Sequence, residues 1–466
     1  MTQPVAILVV VLFIAGTVLA PPALAVQPPL VPPGPPPVGP VAPADPTEQK
    51  AACAAGAAVP DSQLRLPPSA QTMLDYTAAW RFSRGAGQRV AVIDTGVSPN
   101  PRLRTLEAGG DYVSSSDGLI DCDAHGTVVA GLIAAAPSPD DAFAGVAPDA
   151  TILSIRQNSG AYSVRGSGSA TNDPRATSAG YGNTLTLAWA IVRAVDMGAT
   201  VINLSEVACA PVGGNMDDAA LGQAVRYAYE RNVVVVAAAG NVDSQGLCSA
   251  QNEMRDPNLP LADAWDSVRT IASPAWFQDY VLTVGAVTPE GQASDFSLRG
   301  PWVDVAAPGE KVTSLNPSGV GLMNAWLDPR RGPVPINGIS FAAPFVSGLV
   351  ALIRSRFPQM SAADAIERVK RTAHTPGNGP NPATGYGVID PIAALTYEVP
   401  PAAGLPEVQA GHPIAVPPQQ GRSNGRARDV TVTVMGVCLA LAAVSAAVFM
   451  RPVKTDSIEE VGHDPQ

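Results

Sequence analysis

The sequence predicts an α/β protein built on a doubly wound, mostly parallel sheet with helices on both faces. Three observations carry that prediction. Compact apolar runs recur along the middle of the chain. Helical stretches rich in small apolar residues separate them. The first run, Arg89-Val90-Ala91-Val92-Ile93-Asp94, is apolar to its last residue and is followed by the turn pair Thr95-Gly96. Strands apolar on both sides belong to parallel sheets covered on both faces, and the intervening helices supply the crossovers. In such sheets the active site lies at the carboxyl ends of the strands.

The elements follow in order. Residues 72–82 read as an amphipathic helix, with Met73, Tyr76 and Trp80 at helical spacing. After the strand at 89–94 come a small-residue helix at 127–135, a strand at 150–156, a helix at 184–197 and a strand at 200–205. A helix at 217–231 carries Ala220, Ala224, Val225 and Ala228 on one face, and the strand at 233–238 runs into Gly240-Asn241. Strands at 280–287 and 303–307 follow. Ser340 opens an apolar helix that runs through Phe345 to Phe357, with Pro344 tolerated in its first turn. Ser361-Ala362-Ala363-Asp364 opens another with capping-box-like spacing. Residues 157–182, rich in Gly, Ser and Asn, read as an exposed loop, and 247–266 as a second irregular stretch. No internal repeat is visible.

The chain of 466 residues suffices for one large domain with appendages. A net charge of −11 with 15 % charged residues excludes a nucleic-acid partner, which would require a basic face. Val5 to Ala20 is apolar and precedes Ala23-Leu24-Ala25, so residues 1–25 read as a signal peptide, although no Lys or Arg precedes the apolar run. Residues 26–70 form an extension, proline-rich over Val26–Pro46; its second part, carrying Cys53, reads as a propeptide or a belt. The main domain is expected at 71–398, a proline-rich linker at 399–429 and a transmembrane helix at 430–450, uncharged and long enough to span a bilayer. An exported N-terminus places the domain outside the cell membrane, anchored by this single pass, and the tail 451–466 in the cytoplasm.

Of five cysteines, Cys438 lies in the membrane segment. Cys53, Cys122, Cys209 and Cys248 form an even set in an exported chain, which implies two disulfides. Four cysteines allow three pairings; Cys53–Cys122 and Cys209–Cys248 are favoured. The first ties the extension to the domain, and the second lies just beyond two strands expected to be close. No Cys-x-x-Cys pair and no oxygen-rich calcium loop is present, so no metal and no cofactor are expected.

Four residues fall at strand ends or helix starts on one rim of such a sheet. Asp94 ends the first strand, His125 opens the first helix, Asn241 follows a central strand and Ser340 opens the apolar helix. A hydroxyl needs a base within hydrogen-bond reach to become a nucleophile. The imidazole base needs a buried carboxylate on its other nitrogen. A tetrahedral oxyanion needs preorganised donors, which a side-chain amide and the nucleophile's own N–H supply. Singly, each residue has a plainer reading as a turn former, helix opener or N-cap. His374 and His412 sit in polar or proline-rich stretches and read as solvated, and Asp121 and Asp123 as loop acids.

The four motifs together, Asp94-Thr95-Gly96, His125-Gly126-Thr127, Ala239-Gly240-Asn241 and Gly338-Ile339-Ser340-Phe341-Ala342-Ala343-Pro344, resemble those of the subtilisin-like serine proteases. The order Asp, His, Ser is that family's order. The resemblance covers about residues 75–395. It implies Ser340 as nucleophile, His125 as general base, Asp94 as its orienter and Asn241 as oxyanion donor. It also implies that the strand Val201-Ile202-Asn203-Leu204-Ser205 and the adjoining Glu206 bind substrate. An α/β-hydrolase esterase would instead show Gly-x-Ser-x-Gly, whereas position 342 is Ala. The whole architecture is similar to the mycosins, membrane-anchored subtilases of mycobacterial type VII secretion systems. That similarity implies an endopeptidase acting on a few exported proteins beside the secretion membrane complex; a structural subunit of that complex, with proteolysis secondary, is the alternative.

Glu206-Val207 stands where the family usually has Leu-Gly, and the bulkier pair narrows the primary pocket. Restricted specificity follows: purified ectodomain leaves casein largely intact on a gel, and broad digestion would contradict it.

Overall fold

The computed structural model describes residues 26–400 apart from 167–174, 178, 244–247 and 254–260. The expected signal peptide 1–25, the transmembrane helix 430–450, the tail 451–466 and nearly all of the linker 399–429 lie outside the described residues.

The strands, in chain order, are β1 (Thr47–Gln49), β2 (Gly56–Ala57), β3 (Arg89–Asp94), β4 (Leu106–Asp111), β5 (Thr151–Arg156), β6 (Tyr162–Val164), β7 (Val201–Leu204) and β8 (Ala208–Pro211). They continue with β9 (Val234–Ala238), β10 (Thr270–Ser273), β11 (Val281–Val287), β12 (Val305–Pro308), β13 (Ser314–Leu315), β14 (Leu322–Met323), β15 (Ala325–Asp328) and β16 (Gly332–Pro335). Seven form the central sheet in the order β12-β11-β9-β7-β3-β5-β4, every pair parallel.

Alternation along β3 explains how the sheet is covered twice. Val90 and Val92 join one core cluster, against helices His125–Ala134 and Ala343–Arg356. Ala91 and Ile93 join the other, against helices Thr184–Asp196 and Ala219–Glu230. Successive strand residues point to opposite faces, so a continuous apolar run feeds both layers. The stretch Ile339–Arg356 is long and apolar enough to cross a membrane, but its helix is buried from Ala343 to Arg354 in the domain core.

Several expectations change on contact with the structure. The helix expected over 72–82 is two short helices, Ser69–Leu74 and Tyr76–Ala79. Asp75 between them sits in the left-handed region at φ 45°, which no helix can continue through. β4 was not expected, because Glu107, Gly109 and Gly110 break its apolar run; it is an edge strand with a register shift between Ala108 and Gly110. The loop over 157–182 contains β6, which pairs antiparallel with β1 of the N-terminal extension.

The extension is a belt. Residues 26–46 carry no regular element, yet Val31 packs against the outer helical layer and its carbonyl accepts from Arg226. The Tyr181 hydroxyl accepts from the N–H groups of Ala44 and Asp45. β1 then pairs with β6, Cys53 bonds Cys122, and β2 pairs with β15. The second disulfide joins Cys209 on β8 to Cys248. Both favoured pairings are therefore present.

Candidate active site

The site is assembled at the carboxyl ends of the sheet strands. Asp94 closes β3 and is fully buried. Its Oδ1 lies 2.7 Å from His125 Nδ1. His125 is the first residue of helix His125–Ala134. The helix comes this close because its second residue is glycine: a Cβ at Gly126 would stand 2.1 Å from the Gly96 carbonyl oxygen. Asn241 follows Gly240, whose φ of 115° favours glycine. The Asn241 Oδ1 accepts from Ile339 N–H at 2.9 Å, which aims Nδ2 away from that bond.

Ser340 does not open the helix, as the sequence led us to expect. It lies within a separate 3₁₀ turn, Ile339–Phe341, and the helix begins at Ala343. Pro344 then falls in the helix's first turn, where its missing N–H costs nothing. The Ser340 carbonyl accepts from Ser205 Oγ at 2.8 Å. Ser205 accepts in turn from Asn203 Nδ2 at 2.9 Å, and Asn203 Oδ1 from Ser347 Oγ at 2.8 Å. One polar chain thus pins the Ser340 turn to β7 and to the buried helix. Phe341 stacks 5.1 Å from the His125 ring, centroid to centroid.

Among the described residues, Ser340 Oγ makes no hydrogen bond, and the Ser340 N–H and Asn241 Nδ2 make none either. His125 Nε2 faces Glu206 Oε1 at 3.6 Å. Hydroxyl–imidazole contacts are often long before a substrate arrives. Of the expected substrate-binding residues, Ser205 and Glu206 line a cavity of about 370 Å³ together with His125, Asn241 and Ile339. Leu204 is fully buried in the helix-facing core cluster and presents no side chain there.

Sequence reasoning passed over one residue that holds the site together. Asp121, read as a loop acid, is buried beneath four donors. Thr95 Oγ1 donates at 2.8 Å, Thr127 N at 2.8 Å, Thr127 Oγ1 at 2.6 Å and Asp123 N at 3.2 Å. Thr95 follows Asp94, and Thr127 lies two residues after His125; Thr95 Oγ1 also accepts from Gly126 N at 2.9 Å. Asp121 therefore clamps the end of β3 to the start of the helix. The threonines beside Asp94 and His125 were the available signal.

Electrostatics follow from burial. Desolvation pushes the Asp121 carboxyl up to about 6 against its hydrogen bonds. Desolvation disfavours charge on the His125 ring, but Asp94 first, then Glu206 and Asp121, reverse this and raise it to about 10. Burial raises Glu206 to about 7; His125 opposes that shift, and Asp94 and Asp123 add to it. The arrangement can take a proton at the imidazole and offer two uncommitted N–H donors next to a hydroxyl.

Comparison with known proteins places the chain in a family. The Peptidase_S8 profile, described as the subtilase family, matches residues 85–387. Mycosin-1 of Mycobacterium tuberculosis is 47 % identical over 385 residues, 82 % of this chain and 85 % of that one. The structure of MycP3 protease from the type VII (ESX-3) secretion system superposes with a TM-score of 0.74 at 46 % identity, covering 80 % of this chain and 100 % of that one. A chain of an intact ESX-5 inner membrane complex superposes at 0.73 with 40 % identity, over 91 % of this chain and 100 % of that one.

The clamp predicts a measurable coupling. Asp121→Ala leaves Thr127 N–H buried without a partner and lets the two halves of the site drift. The kcat of the variant falls by about 10²-fold on a peptide substrate, as expected for a small misplacement of catalytic groups, while its melting transition stays cooperative.

Proposed function

The chain belongs to the subtilase family, in its mycosin branch, and from that premise we propose that Ser340, His125, Asp94 and Asn241 are its catalytic machinery. The chain is a subtilisin-like serine endopeptidase associated with type VII secretion. The observation that carries the assignment is the 2.7 Å contact between Asp94, at a strand end, and His125, at a helix start, next to a serine turn with free donors.

In this reading Ser340 Oγ attacks the scissile carbonyl and passes its proton to His125 Nε2. Asp94 accepts the Nδ1–H, fixes the tautomer and stabilises the imidazolium. The carbonyl oxygen becomes an oxyanion held by Asn241 Nδ2 and the Ser340 N–H. The intermediate collapses to an acyl-enzyme as His125 gives the proton to the leaving amine. Water, activated by the same imidazole, then releases the second product. No step requires a metal or cofactor.

The substrates are a restricted set of exported proteins. The chain works at the secretion membrane complex, anchored by the helix at 430–450 after removal of residues 1–25, with the domain on the extracytoplasmic side. What supports this is the relation to chains of the ESX-5 inner membrane complex. The same relation favours a second role: the folded domain, with its belt, stabilises that complex as a structural subunit.

Three experiments test these roles. A fluorophosphonate probe labels wild type and not Ser340→Ala; labelling absent from both would refute the assignment. Asn241→Ala lowers kcat by about 10²–10³-fold, the cost established for the corresponding donor of a subtilisin rather than one calculated for this site. Secretion that survives Ser340→Ala but not loss of the chain would establish the structural role; loss in both would place proteolysis first.

A further inference from the structure

Glu206 has no task in the chemistry above, yet its carboxylate stands where that chemistry needs room. Its Oε1 is 3.6 Å from His125 Nε2, the nitrogen that must accept the Ser340 proton. Asp94 holds the opposite nitrogen at 2.7 Å. The ring is clasped between two carboxylates, which favours the imidazolium. A charged ring cannot serve as base.

The Glu206 side chain keeps 27 % of its surface exposed to the cavity side and makes no hydrogen bond among the described residues. Only the ring holds it. The charged groups around the ring all carry one sign: Asp94 from the end of β3, Asp121 and Asp123 from the segment before the helix, and Glu206 from the segment after β7. Asp123 is committed, accepting from Ser159 Oγ and from Ala161 N–H. Among the described residues no Lys or Arg lines the cavity, whose wall also carries Asp243. A cation entering from outside therefore meets Glu206 as a ready partner.

We propose that Glu206 is the specificity-determining residue of this protease: it pairs with His125 in the free enzyme and transfers to a lysine or arginine side chain of the substrate beside the scissile bond. The proposal deepens the reading of the cleft as a protease site and rests on it. The exchange conserves charge. The substrate brings one cation in, the imidazolium gives its proton to solvent, and the ring is left neutral and free to take the Ser340 proton. A neutral substrate leaves Glu206 on the ring and is cleaved slowly, because binding it releases no base.

The pH dependence follows with a definite sign. The raised imidazole value keeps the ring protonated through neutral pH and releases the base only as pH rises toward about 10. Cleavage of neutral substrates therefore climbs with pH across the neutral and mildly alkaline range. Glu206→Gln removes one of the groups that hold the proton, so that rise moves to lower pH.

The test uses the full chain in detergent and matched fluorogenic peptides that carry lysine or norleucine at each position flanking the scissile bond. Wild type prefers lysine at one position by at least about tenfold. In Glu206→Gln that preference disappears, and kcat/KM for the norleucine peptide at pH 7 rises about tenfold, the effect of moving the limb by one pKa unit. Glu206→Asp, which keeps the charge, retains the lysine preference. Fluorophosphonate labelling of Ser340 in each variant shows that the fold and nucleophile are intact. A labelled Glu206→Gln with the wild-type lysine-to-norleucine ratio and the wild-type pH limb overturns the proposal. Failure of the probe to label even wild type overturns the protease reading itself and this proposal with it.

Discussion

The site depends on one buried carboxylate that takes no part in bond making. Asp121 gathers donors from both sides of the gap between β3 and the first core helix: Thr95 from the strand end, Thr127 from the helix. Together with the Gly126 N–H bond to Thr95 Oγ1, these bonds fix the strand end against the helix start, where Asp94 and His125 meet at 2.7 Å. Burying a carboxylate is costly, which is why Asp121 is held well above its ordinary range. Its four hydrogen bonds offset that cost and convert it into a fixed distance.

The same segment connects the site to the N-terminal belt. Asp121 adjoins Cys122, whose sulfur bonds Cys53, while the next residue, Asp123, accepts from Ser159 and Ala161. The Ala161 carbonyl accepts in turn from Lys50 and Ala51 of the extension. Farther along, β2 pairs with β15, and Trp326 of that strand lies 6.3 Å from Phe341, beside the serine turn. The extension therefore touches both walls of the cleft through backbone pairing and one covalent bond. A segment so rich in proline cannot form regular elements or a core of its own. It is ordered because existing loops and a sheet edge supply its partners.

The cleft is under opposing demands. The imidazole must be basic enough to take a proton and neutral enough to receive it. Asp94 meets the first demand and, with Glu206 on the far nitrogen, works against the second. The acids clustered on this rim favour a charged ring, and among the described residues no Lys or Arg on the cavity wall balances them. Power and restraint come from the same charges, and what enters the cleft decides between them.

The sequence by itself determined the layered fold and which residues are candidates for the reacting groups. A continuous apolar strand such as Val90–Ile93 has few alternatives to burial on both faces, and polar residues at strand ends and helix starts fall on one rim once the sheet is parallel. The cysteine pairing was left among three possibilities by the sequence, which only favoured the two bonds that the structure contains. Only the tertiary structure decided the rest. β4 and β6 form through partners far along the chain or at a sheet edge, so their own residues carry little strand signal. The serine turn separates from its helix because Asn241 and Ser205 hold it from outside. Asp121 reads as a loop acid, and Glu206 as a substrate-binding residue that narrows a pocket, until folding brings them beside Thr127 and His125. Local pattern reports what a segment buries, whereas the charge a side chain feels is set by neighbours that sequence distance conceals.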